Sequence, residues 1–293
     1  MNCLIVLNYN DFDMTKSFVE QIKKFQIIDK IIVVDNCSTD NSFEILKEMS
    51  SNKVDVIRTD ANKGYATGNN FGVNYANSNY KIKNFIISNP DIIVQEVTLI
   101  NLIKKLNESS DSAAISGQII KKNGDRFKNS SWRLPTYLDI LIESSVFMSK
   151  FCNNYLKKGI YSNSINKNDA LEYADVLSGC FFIIKNTAFE EVGLFSEKTF
   201  LYYEENILFH NLKKYGYKTI IVRDENITHL HGHSIGKEFK SLIKKNNILK
   251  ESAIEYMTSC LKCNKVQIKI YEYLNKFLLL EKYVLAKILL ITK

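Results

Sequence analysis

An α/β fold, with a mainly parallel sheet, flanking helices and a C-terminal helical extension, is predicted for this 293-residue chain. Three observations predict it. Short continuous apolar runs such as Leu4-Ile5-Val6-Leu7, Ile31-Ile32-Val33-Val34 and Phe85-Ile86-Ile87 have the composition of strands buried on both faces. Stretches of helical period alternate with these runs, the pattern of successive β-α-β units with right-handed crossovers. Several runs also end on small polar or acidic residues, at the sheet edge where open α/β folds bind ligands.

The first strand is expected over Asn2 to Leu7, and Asn8-Tyr9-Asn10 ends it with groups able to bond a ligand or their own backbone. A helix over about Thr15 to Phe25 follows, with Phe18, Val19, Ile22 and Phe25 on one stripe. The second strand, Ile31 to Val34, ends on Asp35, and Asp35-Asn36-Cys37-Ser38-Thr39-Asp40 packs polar side chains into the turn before the next helix. Capping that helix needs one of them, and Asp35 lies too early to do it. An acid at this position can accept hydrogen bonds from a base or ribose, although the absence of a GxGxxG pattern disfavours dinucleotides.

A third strand is expected near Val54 to Arg58, followed by Asn62-Lys63-Gly64-Tyr65-Ala66-Thr67-Gly68-Asn69-Asn70-Phe71-Gly72. Its glycines and single lysine, at the start of a helix, suit either backbone N–H groups near a phosphate or close helix packing through Gly68 and Gly72. The fourth strand stops at Pro90, which cannot donate to a continuing ladder. Asp91 then stands at a strand's carboxyl end, where it either caps a turn or holds a divalent cation through oxygen.

Taken in order, Asn8-Tyr9-Asn10, Val33 to Asp40, Asn62 to Asn70 and Asn89-Pro90-Asp91 resemble the motifs of family 2 glycosyltransferases of the GT-A fold, with its Rossmann-like sheet. The resemblance is nearest to the rhamnosyltransferase-like branch of bacterial surface-polysaccharide synthesis. It implies a nucleotide-sugar site drawn from Asn8, Tyr9, Asn10, Asp35, Asn36, Ser38, Asn62, Lys63, Gly64, Asn69 and Asn89. Asp35 would hold the base, and Asp91 the metal end of a DxD-type motif whose first position is here Asn89.

A helix near Val97 to Asn107 and a strand around Ala113 to Ser116 continue the alternation, and Asn123-Gly124 signals a hairpin between Gln118 to Ile120 and Arg126-Phe127. Trp132 to Thr136 leads, by the resemblance, into an acceptor-side region over 137–170 that carries little legible pattern. Leu177 to Ile184 gives a turn and a buried strand, Thr187 with Glu190 a capping box, and Gly193 a helix stop. Glu204-Glu205 opens a helix that stops at Gly216, and acids favour that position in any helix. The resemblance places a Glu-Asp motif here, which makes Glu205 the general base with a side chain about one C–C bond, roughly 1.5 Å, longer than Asp.

Three of the four histidines fall at 229, 231 and 233, a spacing that on a strand puts all three on one side and suggests a metal or phosphate site. The resemblance assigns His229 to the metal or diphosphate. Together these expectations give an inverting glycosyltransferase dependent on Mg²⁺ or Mn²⁺, acting from a nucleoside-diphosphate sugar onto a lipid-linked or polysaccharide hydroxyl. The rival readings are a catalytically inactive nucleotide-sugar-binding protein and a sugar nucleotidyltransferase, the latter lacking the glycine-rich basic loop it would need after the first strand.

Composition fits one large domain, with 45% hydrophobic and 24% charged residues, and expectation divides the chain into a catalytic domain over 1–236 and basic amphipathic helices over 237–293. From Ile235 onward there are 12 Lys and 5 Glu, which accounts for the whole net charge of +7. That tail has no Arg, the side chain best suited to bidentate phosphate and base contacts, which argues against nucleic acid and for an anionic membrane surface. Its stripe of Tyr273, Phe277, Leu280, Val284 and Ile288 suits packing on the domain or insertion at a bilayer face. The six cysteines have no disulfide-framework spacing, Cys260-Leu-Lys-Cys263 is a single pair, and the chain opens directly into a strand. The expected place is the cytoplasm, peripheral on the inner face of the plasma membrane.

Overall fold

The structure, a computed structural model, describes residues 1–152, 171–230 and 242–291. Its strands are β1 (Asn2–Asn8), β2 (Lys30–Asp35), β3 (Val54–Arg58), β4 (Asn84–Ser88), β5 (Ile92–Ile93), β6 (Ser112–Ile120), β7 (Ser131–Trp132), β8 (Leu171–Tyr173), β9 (Val176–Leu177), β10 (Phe181–Lys185) and β11 (Lys218–His229). Among the described residues nine of them form one sheet in the order β3-β2-β1-β4-β10-β6-β11-β5, with β8 beside β11. The remaining two, β7 and β9, pair with each other.

The first four strands pair in parallel, as their apolar runs require. Alternate side chains serve two cores: Leu4, Val6, Ile31 and Val33 pack on one face, and Cys3, Ile5, Ile32 and Val34 on the other. Full burial of each aliphatic side chain contributes roughly 1.5–3 kcal/mol, which fixes register, because a slip by one residue exchanges the faces. Beyond β4 the sheet is mixed. β10 runs antiparallel to β4 and β6, and β11 is parallel to β6 but antiparallel to β5 and β8. Since Phe181 pairs with Ser88, β10 begins where β4 ends, and the turn Ser178-Gly179-Cys180 lies beside Asn89, whose N–H donates to Cys180 O at 2.8 Å.

A third apolar cluster joins Ile140, Ile207, Tyr256, Met257 and Tyr271. It seats the C-terminal helices, Leu242–Ser259 and Lys265–Ile291, on the helices Tyr137–Ser144 and Glu204–Lys214.

Three local expectations need correction, and one open alternative narrows. The first helix is Phe12–Ile22, starting three residues before the expected Thr15. At Asn123-Gly124 a turn forms with Gly124 at φ +86°, but pairing stops at a single bridge, Ile120 to Arg126. There Ser130 Oγ accepts from Ile119 N–H at 3.0 Å and takes the place of a second strand. The Thr187/Glu190 capping box does not form; Glu190 Oε1 instead accepts from Asn77 Nδ2 at 2.9 Å, so a tertiary contact takes the side chain a local motif would use. Tyr273, Phe277 and Leu280 do not pack on the domain and are 75, 73 and 62% exposed.

Candidate active site

Along the carboxyl ends of β1, β2 and β4 lies a cavity of about 590 Å³, bounded on its far side by the C-terminal helices. Of the residues singled out in the sequence, Asn8, Tyr9, Asn36, Asn62, Gly64, Asn89, Glu205 and His229 line it.

At one end Asp91 follows Pro90, and β5 carries the chain on into a short antiparallel pairing with β11. Because His229 pairs with Ile92, its ring falls beside the preceding residue, with Nε2 at 3.1 Å from Asp91 Oδ1. Burial alone would lower the imidazole pKa, but the Asp91 hydrogen bond and the Cys180 thiol outweigh it and push it up to about 10. Asp91 is 5% exposed, so its carboxylate and the imidazole form a shielded pair.

Asp35 is fully buried and already coordinated. One oxygen accepts from Asn8 Nδ2 at 2.9 Å and Ser38 Oγ at 2.6 Å, and the other from Ser38 N–H at 3.1 Å, with Arg58 Nε at 3.4 Å. It therefore braces the ends of β1 and β2 against the following turn, where Asn10 N–H also donates to Ser38 Oγ. Asn10 and Ser38 do not line the cavity but hold its floor. Asn36 Nδ2 donates to Asn62 Oδ1 at 3.0 Å and ties the third loop to the second.

That third loop settles the choice between phosphate cradle and packing at Gly68 and Gly72. A Cβ on Gly68 would lie 2.5 Å from Leu7 Cδ1, and one on Gly72 2.7 Å from Val34 Cγ2, so both let the helix Tyr65–Asn79 lie close against β1 and β2. Asn69 bonds within the same helix, to Tyr65 O at 2.9 Å. Lys63 faces a smaller cavity of about 240 Å³ beside Lys198 and Glu251.

Gly64 has a different task. At φ +101° it meets the backbone of Phe200, whose oxygen would lie 2.0 Å from any Cβ there, and Tyr65 N–H donates to that oxygen at 2.9 Å. The contact anchors the segment that leads to the two acids. Tyr202 and Tyr203 both adopt left-handed backbone, φ +74° and +64°, a conformation that costs of order 1 kcal/mol or more per non-glycine residue and clusters at functional sites. Directly after them, Glu204 and Glu205 enter the helix with both side chains in the cavity. One oxygen of each carboxylate is buried without a hydrogen-bond partner. Burial pushes Glu205 up to about 7, and raises Glu204 further with the help of its neighbour's charge. The pair thus resists carrying two negative charges, which favours a single shared ionisation and leaves a carboxylate oxygen able to take a proton.

The half of the cavity away from the strand ends carries fewer legible signals in the sequence. Trp132, the chain's one tryptophan, is fixed by its Nε1–H donating to Asn206 Oδ1 at 2.8 Å, one residue past the acids. Glu143, Tyr271, Asn275 and Lys282 complete the far wall, and no short motif marks them. His231 and His233 lie outside the described residues, so the three-histidine spacing is represented by His229 alone.

Once the imidazole gives up the proton it shares with Asp91, the pair offers one oxygen and one nitrogen ligand to a divalent ion, which would complete its shell with phosphate oxygens and water. Among the described residues no group of three or more His, Cys, Asp or Glu side chains is placed to hold a metal alone. The donor set at Asp91 and His229 therefore fits an ion shared with a bound diphosphate.

The mixed sheet, with helices on both faces and its parallel strand ends at the cavity, has the GT-A fold. The chain belongs to glycosyl transferase family 2, whose profile matches residues 3–193. A low-salt glycan biosynthesis hexosyltransferase, Agl10 of Haloferax volcanii, is 25% identical over 202 residues, 69% of this chain and 58% of that protein's length. Among solved structures, the mannosyltransferase PcManGT of Pyrobaculum calidifontis, in complex with GDP-Man and Mn²⁺, gives a TM-score of 0.57 at 16% identity, covering 95% of this chain and 71% of that one. GalNAc-T7 with UDP, GalNAc and Mn²⁺ gives 0.60 at 14% identity, covering 87% and 48%.

Proposed function

We propose that this chain is an inverting glycosyltransferase that moves a sugar from a nucleoside-diphosphate donor to a hydroxyl of a lipid-linked or polysaccharide acceptor. The observation that carries the proposal is Glu205: a buried carboxylate with an unpartnered oxygen, pushed up to about 7, in a cavity that His229 also lines, while Asp91 stands behind that wall on the His229 ring.

In this reading Asn8 meets the nucleoside from the cavity wall, and Asp35 with Ser38 would seat it from behind, Asn8 exchanging its bond to Asp35 for one to the ligand so that the freed carboxylate oxygen can accept from the base or ribose. Tyr9, Asn36, Asn62, Gly64 and Asn89 line the donor's path. Asp91 and His229 would hold Mg²⁺ or Mn²⁺, which when bound supplies charge neutralisation to the leaving diphosphate. Glu205 accepts the proton of the acceptor hydroxyl as its oxygen attacks the anomeric carbon from the face opposite the diphosphate, so a single displacement inverts that centre. Glu204, raised by burial and by the charge of Glu205, discourages a second negative charge beside the base.

Residues 1–236 act as the catalytic domain, and 237–293 as an extension that walls the acceptor side. A rhamnosyl donor and a role in O-antigen or capsule-type glycan synthesis rest on the motifs of the first 91 residues. Hexosyl transfer in glycan synthesis is supported by the likeness to the Haloferax protein. Among the described residues no helix is long and apolar enough to cross a membrane, and we place the protein peripherally on the inner face of the plasma membrane.

The test is nucleoside-diphosphate release from a donor panel that includes dTDP-rhamnose, GDP-mannose and UDP-sugars, with Mn²⁺ and membrane-extracted acceptor. Acceptor-stimulated release from one donor supports the proposal. Tight donor binding without release in the presence of acceptor supports a non-catalytic binder.

A further inference from the structure

The helix Lys265–Ile291 has two opposed faces. At about 100° per residue, Val266, Ile270, Tyr273, Phe277 and Leu280 fall within about 40° of one line along it. All five are exposed, from 50 to 75%. Tyr271, Asn275 and Lys282 lie on the opposite side and line the cavity that holds Glu205.

Two hydrogen bonds extend the apolar face beyond this helix. Tyr137 Oη donates to Gln267 O at 3.0 Å, and Phe147 N–H donates to Glu281 Oε1 at 2.9 Å. Gln267 and Glu281 sit on the same border of the stripe, so the segment 137–151 abuts that border. It adds Leu138, Phe147 and Met148, exposed by 63, 64 and 52%. The other border carries Lys265, Lys269 and Lys276, all exposed, with the single acid Glu272 among them. Isolated exposed apolar side chains are ordinary, but eight on two adjoining segments are not.

We infer that this composite face, the Val266–Leu280 stripe with Leu138, Phe147, Met148 and the lysine row, docks on an anionic lipid bilayer. An apolar strip bordered by lysines is the pairing that holds an interfacial helix at the boundary between headgroups and acyl chains. A second copy fits less well. A two-fold contact sets a patch against itself, and this patch carries a positive excess that would meet its own image.

The consequence for the site rests on the reading of it as a sugar-transfer site. One helix, about 10 Å across, separates the docked face from the cavity wall made by Asn275 and Lys282. A bilayer on the outer side brings the sugars nearest the headgroups to that wall. The acceptor class selected is therefore a glycan carried on a membrane lipid, rather than a free polysaccharide.

The experiment is flotation of the full chain with vesicles of phosphatidylcholine alone and of phosphatidylcholine with phosphatidylglycerol, comparing wild type with Phe277→Ser/Leu280→Ser and with Lys269→Gln/Lys276→Gln. Donor affinity is measured in parallel without vesicles. The docked face predicts binding to the anionic vesicles, at least tenfold weaker in the apolar pair. In the lysine pair it predicts binding several-fold weaker, with a reduced salt dependence. Donor affinity stays unchanged in both, because none of the four residues lines the cavity. Equal flotation of wild type and variants, or no flotation of wild type, overturns the inference. So does a wild-type dimer in light scattering that the apolar pair dissociates, which would assign the face to a second copy. Loss of donor binding by wild type would count against the sugar-transfer reading and leave the flotation result standing by itself.

Discussion

His229 Nε2 lies 3.1 Å from Asp91 Oδ1 because His229 is paired with Ile92, the residue after Asp91, across an antiparallel ladder. Residues 138 positions apart are brought together by two short strands at the end of the sheet. Replacing either group should remove half of the proposed cation site. Asp91→Asn and His229→Ala are each expected to lower metal-stimulated turnover by about 10²-fold or more and to weaken Mn²⁺ binding in calorimetry. Turnover with an unchanged metal requirement in both variants would place the ion elsewhere.

Gly64 should be intolerant of any side chain. With φ +101° and Phe200 O only 2.0 Å from where a Cβ would stand, Gly64→Ala must displace the Phe200 segment and with it Tyr202, Tyr203 and the acids. The expected cost is about 2–4 kcal/mol in urea unfolding, with turnover reduced further than stability alone explains. Gly124→Ala is the control: it shares a positive φ, +86°, but has nothing within 4 Å, so it should cost about 1 kcal/mol and leave turnover intact. Similar effects of both changes would refute the anchoring role of the Gly64–Phe200 contact.

Turnover should show an acid limb with its midpoint near 7, because Glu205 must be ionised to accept a proton and burial pushes it up to about 7. A limb near the ordinary glutamate value would mean that the carboxylate is solvated in the working enzyme.

Stability follows from the same group with the opposite sense. A carboxyl whose folded pKa lies above its unfolded value favours the fold when protonated, and this contribution is lost as pH rises from about 4.5 toward 7. Glu205→Gln should therefore be more stable than wild type at about pH 8, by about 1–3 kcal/mol, and indistinguishable at about pH 4. Thermal melts at the two pH values check it, and a variant less stable at the higher pH would contradict the burial argument.

How much of this was legible in the sequence depended on distance along the chain. The first four strands were readable because each is a local apolar run closed by a local polar stop, and Asp35 and Asp91 stand at such stops. The doubled reading of Gly68 and Gly72 could not be resolved, since only the positions of Leu7 and Val34 show that the space over both glycines is filled. The Thr187/Glu190 motif misled because Asn77, more than a hundred residues earlier, takes the glutamate. The anchoring of Glu204 and Glu205 by Gly64 and the composite face of Leu138, Phe147 and Phe277 were invisible for the same reason: each is made by segments far apart in the chain.

Whether Glu205 removes the acceptor proton is read from kcat and donor Kd of Glu205→Gln. With Glu205 as the base, kcat falls about 10²–10⁴-fold and donor Kd stays within about twofold of wild type. Turnover at the wild-type rate in Glu205→Gln would contradict it, and would move the search for the base to the other acids of the cavity.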